Sequence, residues 1–267
     1  MPTVPSADGT TIAYETAGAG PALILVDGAM CYRDFGPARS LAAALADRFT
    51  VYLYDRRGRG ESGNTLPWAE EREIDDLAAV LTAAGGEAAL LACSSGAVLA
   101  ADAANRLRGV TRLALYEPPF IVDDTHAPRE ATFVPDTEDL IARDDRSGAL
   151  KKFMKHVGMP AAMVHIMALT PPWKKLKAVA PTLPYDLRIL GDTGRGVPLD
   201  ASRWSGVTVP ALVMDGGKSP QYMRNAAKAL SEALPKAQYR TLPGQTHMVK
   251  AGAIAPVVKE FLATQPR

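Results

Sequence analysis

Hydrophobic and polar positions follow two rhythms along this chain. Near the start, TTIAYETAG alternates apolar and polar residues between Asp8-Gly9 and Gly18–Gly20, the pattern of an exposed antiparallel strand bounded by turns. The alternation then gives way to short runs that are apolar throughout: PALILVDG, FTVYLYD, EAALLAC and VTRLALYE. Such runs suit strands buried on both faces, and the segments between them are long enough for right-handed crossover helices. The expectation is an α/β fold, a mostly parallel doubly wound sheet with an edge hairpin. The rhythm stops at Pro118-Pro119 and resumes at VPALVMDG, followed by helical MRNAAKALSEAL, strand-like AQYRTLP and a last helix near IAPVVKEFLA. From about Phe120 to Ser205 the periodicity is helical, with several Pro and Gly breaks. The predicted division is a core of residues 1–119 and 206–267 with a helical cap inserted at 120–205.

Composition narrows the function without choosing it. Thirty Lys and Arg against 29 Asp and Glu give a formal net charge of +1, so no overall basic field exists to hold a nucleic acid. The first residues, MPTVPSADGT, lack a basic stretch followed by an apolar one, and no apolar run approaches the roughly 18 residues needed to cross a bilayer. Cys31 and Cys93 are the two cysteines, too few for a disulfide scaffold and outside any zinc-type spacing. These features lead us to expect a soluble cytoplasmic protein that needs no metal and no organic cofactor. Oligomeric state is not readable from the chain.

Candidate chemistry begins at LLACSSGAVLA, where an apolar strand runs into two serines, a glycine and a helix-forming stretch. A serine hydroxyl is a poor nucleophile until a base takes its proton and donors receive the charge that develops on the substrate oxygen. A sharp strand-to-helix turn pushes one side chain out at the carboxyl edge of the sheet, beside the first free N–H of the helix, and it demands small residues two positions to either side. Ser94 has Ala92 and Gly96 at those positions, whereas Ser95 has Cys93 and Ala97. Ser94 is the better fit. The bland alternative is a turn in which either serine merely caps the helix.

Taken in order, these segments resemble the α/β-hydrolase fold superfamily over essentially the whole chain. LILVDGAMC is similar to the His-Gly oxyanion loop after the third strand, VYLYDRRGRGESG to the Asp-x-Arg-Gly-x-Gly-x-Ser segment after the fourth, and LPGQTHMVK to the loop that presents the catalytic histidine. The resemblance implies Ser94 as nucleophile, His247 as base, and the backbone N–H groups of Ala29 and Ser95 as the oxyanion hole. Two departures stand out. Asp27 replaces the usual histidine before Gly28, and Ser219 occupies the position where members commonly carry the acid beyond the seventh strand. Some members, certain lipases and haloalkane dehalogenases among them, carry it after the sixth strand instead, and Glu117 in LALYEPPF fits that variant. Asp215, at the end of the seventh strand, is the alternative acid. Members with epoxide hydrolase or dehalogenase activity place Asp at the elbow, where this chain has Ser94.

The cap would roof the site. Met159, Met163, Ile166 and Met167 lie at helix-face spacing, with Trp173 and Trp204 near in sequence, a lining suited to an adaptable apolar pocket. Lys151, Lys152, Lys155, Lys174, Lys175 and Lys177 read as a solvated face, and His126, His156 and His165 as cap surface or packing residues. The expected function is hydrolysis of a small or medium apolar ester, thioester or lactone through an acyl-enzyme, with cleavage of a carbon–carbon bond by the same serine left open. The alternative is a ligand-binding or non-hydrolytic biosynthetic protein on the same scaffold.

Overall fold

The computed structural model describes residues 1–263; residues 264–267, the end of the predicted core segment, lie outside the described residues. Eight strands form one sheet: β1 (Thr3–Pro5), β2 (Thr11–Ala17), β3 (Ala22–Val26), β4 (Thr50–Tyr54), β5 (Ala88–Cys93), β6 (Val110–Tyr116), β7 (Ala211–Gly216) and β8 (Ala237–Leu242). Their spatial order is β1-β2-β4-β3-β5-β6-β7-β8, with β1 and β2 antiparallel and the rest parallel. The alternating stretch at the start is thus the antiparallel β2, and the continuously apolar runs are the interior parallel strands.

Each interior strand feeds two cores because successive side chains leave opposite faces. Ile24, Val26, Leu90, Ala92, Leu113 and Leu115 pack on one side, under α2 (Glu70–Ala83), α3 (Ser95–Ala104) and α9 (Gln221–Ala233). Leu23, Leu25, Ala89, Leu91, Ala114 and Tyr116 pack on the other, under α1 (Ala38–Leu45) and α10 (Ala251–Ala263). Burying a Leu or Ile in this way stabilises the fold by about 1.5–3 kcal/mol per side chain.

Between β6 and β7 the chain leaves the sheet for five helices: α4 (Phe133–Ala142), α5 (Arg146–His156), α6 (Ala161–Met167), α7 (Pro172–Val179) and α8 (Leu183–Ile189). They enclose a separate apolar cluster of Phe133, Leu150, Phe153, Trp173, Leu176 and Leu187, against which Ala29, Met30 and Phe35 also pack. The flanks of the insertion behave differently. Phe120 and Trp204 are fully buried in the main core, where their rings lie 5.8 Å apart and the Trp204 indole donates to Asp102.

Candidate active site

Strand β5 ends at Cys93 and α3 begins at Ser95, so Ser94 makes the whole turn. Its backbone lies at φ 56°, ψ −131°, a left-handed conformation that L-residues tolerate only where the surroundings enforce it. The close approach around it explains the small neighbours. A side chain at Gly96 would collide with the Val26 and Asp27 carbonyls, and a Cβ on Gly28 would lie 2.7 Å from that of Ser94. Ser94 is half-buried, whereas Ser95 is buried and its hydroxyl donates to Asp186 at 2.8 Å. The two serines are therefore distinct in environment, and only the first faces outward.

Strand β6 gathers the other groups through two consecutive residues. The Ser94 N–H donates to the Tyr116 carbonyl at 2.9 Å, and the Tyr116 hydroxyl donates to the Thr246 carbonyl at 2.6 Å. Glu117, fully buried and itself at φ 46°, holds His247 Nδ1 at 2.8 Å through Oε2 and accepts the Gly216 N–H at 2.6 Å through Oε1. A carboxylate only accepts, so the shared proton belongs to Nδ1 and the neutral ring keeps Nε2 as an acceptor. His247 remains about one-third exposed. Asp215 is engaged elsewhere: its Oδ2 accepts the Tyr239 hydroxyl at 2.8 Å and lies 3.5 Å from Arg224 Nε. The Ser219 hydroxyl stands beside that of Tyr116.

The loop after β3 is held from behind by arginines of the DRRGRGES segment. Arg59 Nη1 donates to the carbonyls of Gly28 and Cys31 at 2.7 and 3.2 Å, and Arg56 Nη1 to that of Asp27 at 3.1 Å. Arg57 is turned the other way, to Asp76 and Asp8. Gly60 is required because a Cβ there would collide with the Asp55 carboxylate, which accepts the N–H groups of Arg33 and Glu61. Ser95, as first residue of α3, has an N–H without a helical acceptor.

Burial pushes the Asp27 carboxyl up from 3.8 to about 7, against the opposing pull of Arg59 and Arg56. A folded value raised above the unfolded one means that the native state keeps a proton the unfolded chain has released. Stability is therefore lost as pH rises from about 4 to about 7 and stays lost above it. The displacement corresponds to at most about 4 kcal/mol. Asp27→Asn, which cannot ionise, is expected to gain on wild type by about 2–3 kcal/mol between pH 5 and pH 8, measured by urea unfolding at both. An equal difference at the two pH values would show that Asp27 does not titrate with folding.

The residues that the sequence pattern places around this centre meet different fates. Burial, then the charge on Asp27, pushes the Cys31 thiol up to about 12, and burial also raises that of Cys93; both are free cysteines. His126 and His156 pack as rings, His126 on Tyr222 at 4.3 Å and His156 on Phe133 at 4.4 Å, while His165 is exposed. Burial pushes His156 down to about 4. The expected Met-rich lining is corrected in two places: Met163 is 53% and Ile166 67% exposed, because α6 buries Val164 instead, and Trp204 belongs to the main core. Met159 and Met167 do pack against the insertion's cluster. Lys152 pairs with Asp136 and covers the Phe133 ring, and the other five lysines of that face are exposed. Among the described residues no three His, Cys, Asp or Glu side chains stand where they could hold a metal, and no helix is long and apolar enough to cross a membrane.

Sequence reasoning missed Tyr116 and Asp186. A faint signal existed for the second: Asp186 interrupts the apolar run LPYDLRIL, and a carboxylate buried in such a run must find donors.

Residues 18–252 match the family described as alpha/beta hydrolase. The chain is 46% identical to an alpha/beta hydrolase from Sphaerobacter thermophilus, over 98% of this chain and all of that one, with a TM-score of 0.90. It shares its fold with a thermophilic esterase from Thermogutta terrifontis (20% identity, 98% and 97% covered, TM-score 0.71). It also shares it with the enol-lactonase from Burkholderia xenovorans LB400 (20% identity, 98% and 100% covered, TM-score 0.67).

Proposed function

The chain belongs to the alpha/beta hydrolase family, and on that footing we propose that it is a serine hydrolase cleaving a small or medium apolar ester, thioester or lactone. Ser94 Oγ attacks the carbonyl carbon as its proton passes to His247 Nε2. The carbonyl oxygen takes up the negative charge and is met by the N–H groups of Ala29 and Ser95. Glu117 keeps Nδ1 protonated and offsets the charge of the imidazolium. Collapse of the tetrahedral intermediate breaks the carbonyl–heteroatom bond, and the proton on Nε2 goes to the leaving group. Water, deprotonated by the same nitrogen, then releases the acid and regenerates Ser94.

The observation that supports this reading most is the 2.8 Å bond between His247 Nδ1 and the buried Glu117 carboxylate. A carboxylate at the end of β6 supplies what Ser219 cannot. The five-helix insertion is read as a cap, because its apolar cluster packs on Ala29 and Met30 of the oxyanion loop. The two free thiols agree with a reducing compartment, the cytoplasm.

Intact mass after treatment with a fluorophosphonate tests the proposal, together with turnover of a panel of p-nitrophenyl esters, thioesters and small lactones. One adduct per chain and turnover of at least one short-chain member are expected. Neither adduct nor turnover would end the hydrolase reading in favour of ligand binding.

A further inference from the structure

One carboxylate of the insertion reaches into the sheet core beneath the reacting groups. Asp186, in α8, is 2% exposed. Its Oδ1 accepts from Arg56 Nη1 and from the Ser95 hydroxyl, both at 2.8 Å, and its Oδ2 accepts from Arg59 Nη2 at 2.7 Å. Burial would raise this carboxyl, but Arg59 and Arg56, with the hydrogen bonds from Arg59 and Ser95, hold it below the ordinary aspartate value.

Each of the three donors leads to the oxyanion site. The Gly28 carbonyl and the Ala29 N–H belong to one planar trans peptide and point in opposite directions. Because Arg59 holds that carbonyl at 2.7 Å, the Ala29 N–H is aimed away from the arginine. Arg56 steadies the same loop through the Asp27 carbonyl. Ser95 is held through its side chain, and its N–H, at the start of α3, has no helical acceptor. Asp186 thus bears on both donors at once.

We propose that Asp186 is a positioning residue for the oxyanion hole, so that seating of the insertion on the core sets the alignment of the Ala29 and Ser95 N–H groups. The proposal rests on the serine hydrolase reading. The weak point of a variant is Arg59. Arg56 keeps Glu73 at 2.7 and 2.9 Å, whereas Arg59 pairs with no other carboxylate among the described residues and holds only the Thr182 hydroxyl and two carbonyls. With Asp186 neutral, Arg59 loses its one ion-pair partner among the described residues, and the Gly28 carbonyl that it holds loses a fixed anchor.

The test compares wild type, Asp186→Asn, Ser95→Ala and the double variant on p-nitrophenyl butyrate, each normalised by fluorophosphonate titration of active sites so that unfolded chains are not counted. Loss of one oxyanion donor lowers kcat by about 10²–10³-fold. Misalignment is expected to lower it by about 10–100-fold in Asp186→Asn with KM within about threefold, since these donors act on the transition state. Ser95→Ala is expected to lose about 5–20-fold, and little more when added to Asp186→Asn, because both act through one carboxylate. Unchanged kcat per titrated site in Asp186→Asn, even with a lower melting temperature, overturns the proposal, as does a rise in KM alone. If Asp186→Asn yields no folded protein, Ser95→Ala decides by the same split: a fall in kcat at constant KM supports the role and an unchanged kcat overturns it. Absence of any adduct or turnover in wild type is a different outcome, in which the hydrolase reading fails and this role with it.

Discussion

Ser94→Ala is expected to lose the fluorophosphonate adduct and to lower kcat by about 10⁴-fold or more on any ester the wild type turns over. No neighbour can take over. The Ser95 hydroxyl is buried and committed to Asp186, and the Cys93 and Cys31 thiols are held protonated by burial, whereas a thiol attacks as thiolate. The close packing of Gly28 and Gly96 around the turn holds the backbone at residue 94, so Ser94→Ala is expected to change the melting temperature little. Intact mass and steady-state kinetics on one preparation check both halves. An adduct that persists on Ser94→Ala would move the nucleophile elsewhere.

Glu117→Gln is expected to lower kcat by about 10³–10⁴-fold, with fluorophosphonate labelling slowed in proportion. The amide keeps the size of the carboxylate but brings a donor to His247 Nδ1. The ring then presents the wrong tautomer, with its proton on the nitrogen that has to receive the one from Ser94. Asp215→Asn serves as the comparison and should leave kcat within about threefold, because that carboxylate faces Tyr239 and Arg224. The reverse result, Asp215→Asn inactive and Glu117→Gln intact, would reassign the acid to the seventh strand.

Much of the sheet was legible because a strand covered on both faces has to be apolar throughout. The runs ending in Val26, Tyr54, Cys93 and Tyr116 announce β3 to β6 in order. The elbow was legible for a steric reason: Gly28 and Gly96 are small where backbone and Ser94 crowd together. Glu117 was visible as a carboxylate closing an apolar strand, while its bond to His247 spans 130 positions and comes from the strand order β6-β7-β8, which sets the residue after β6 near the loop after β8. What could not be read is side-chain convergence from distant segments. Tyr116 looks like ordinary core, yet its hydroxyl ties down the carbonyl just before His247. Asp186 looks like a helix residue of the insertion, yet its partners lie 91, 127 and 130 positions away. The Met-rich helix misled for the opposite reason. Periodicity locates an apolar face, but seven residues of α6 carry two such faces, and packing chose the one with Val164.

The bond from Asp186 to Arg59 also bears on how this scaffold can be re-engineered. If the insertion roofs the site as proposed, a change of substrate range invites exchange of the whole insertion, as if it and the core were interchangeable modules. Here the graft junction runs through an ion pair: residues 56 and 59 stay with the recipient while their shared carboxylate leaves with the discarded segment. A chimera must therefore import an acid at the place of Asp186, or replace Arg59 as well, before its new roof can be judged on the substrates it admits.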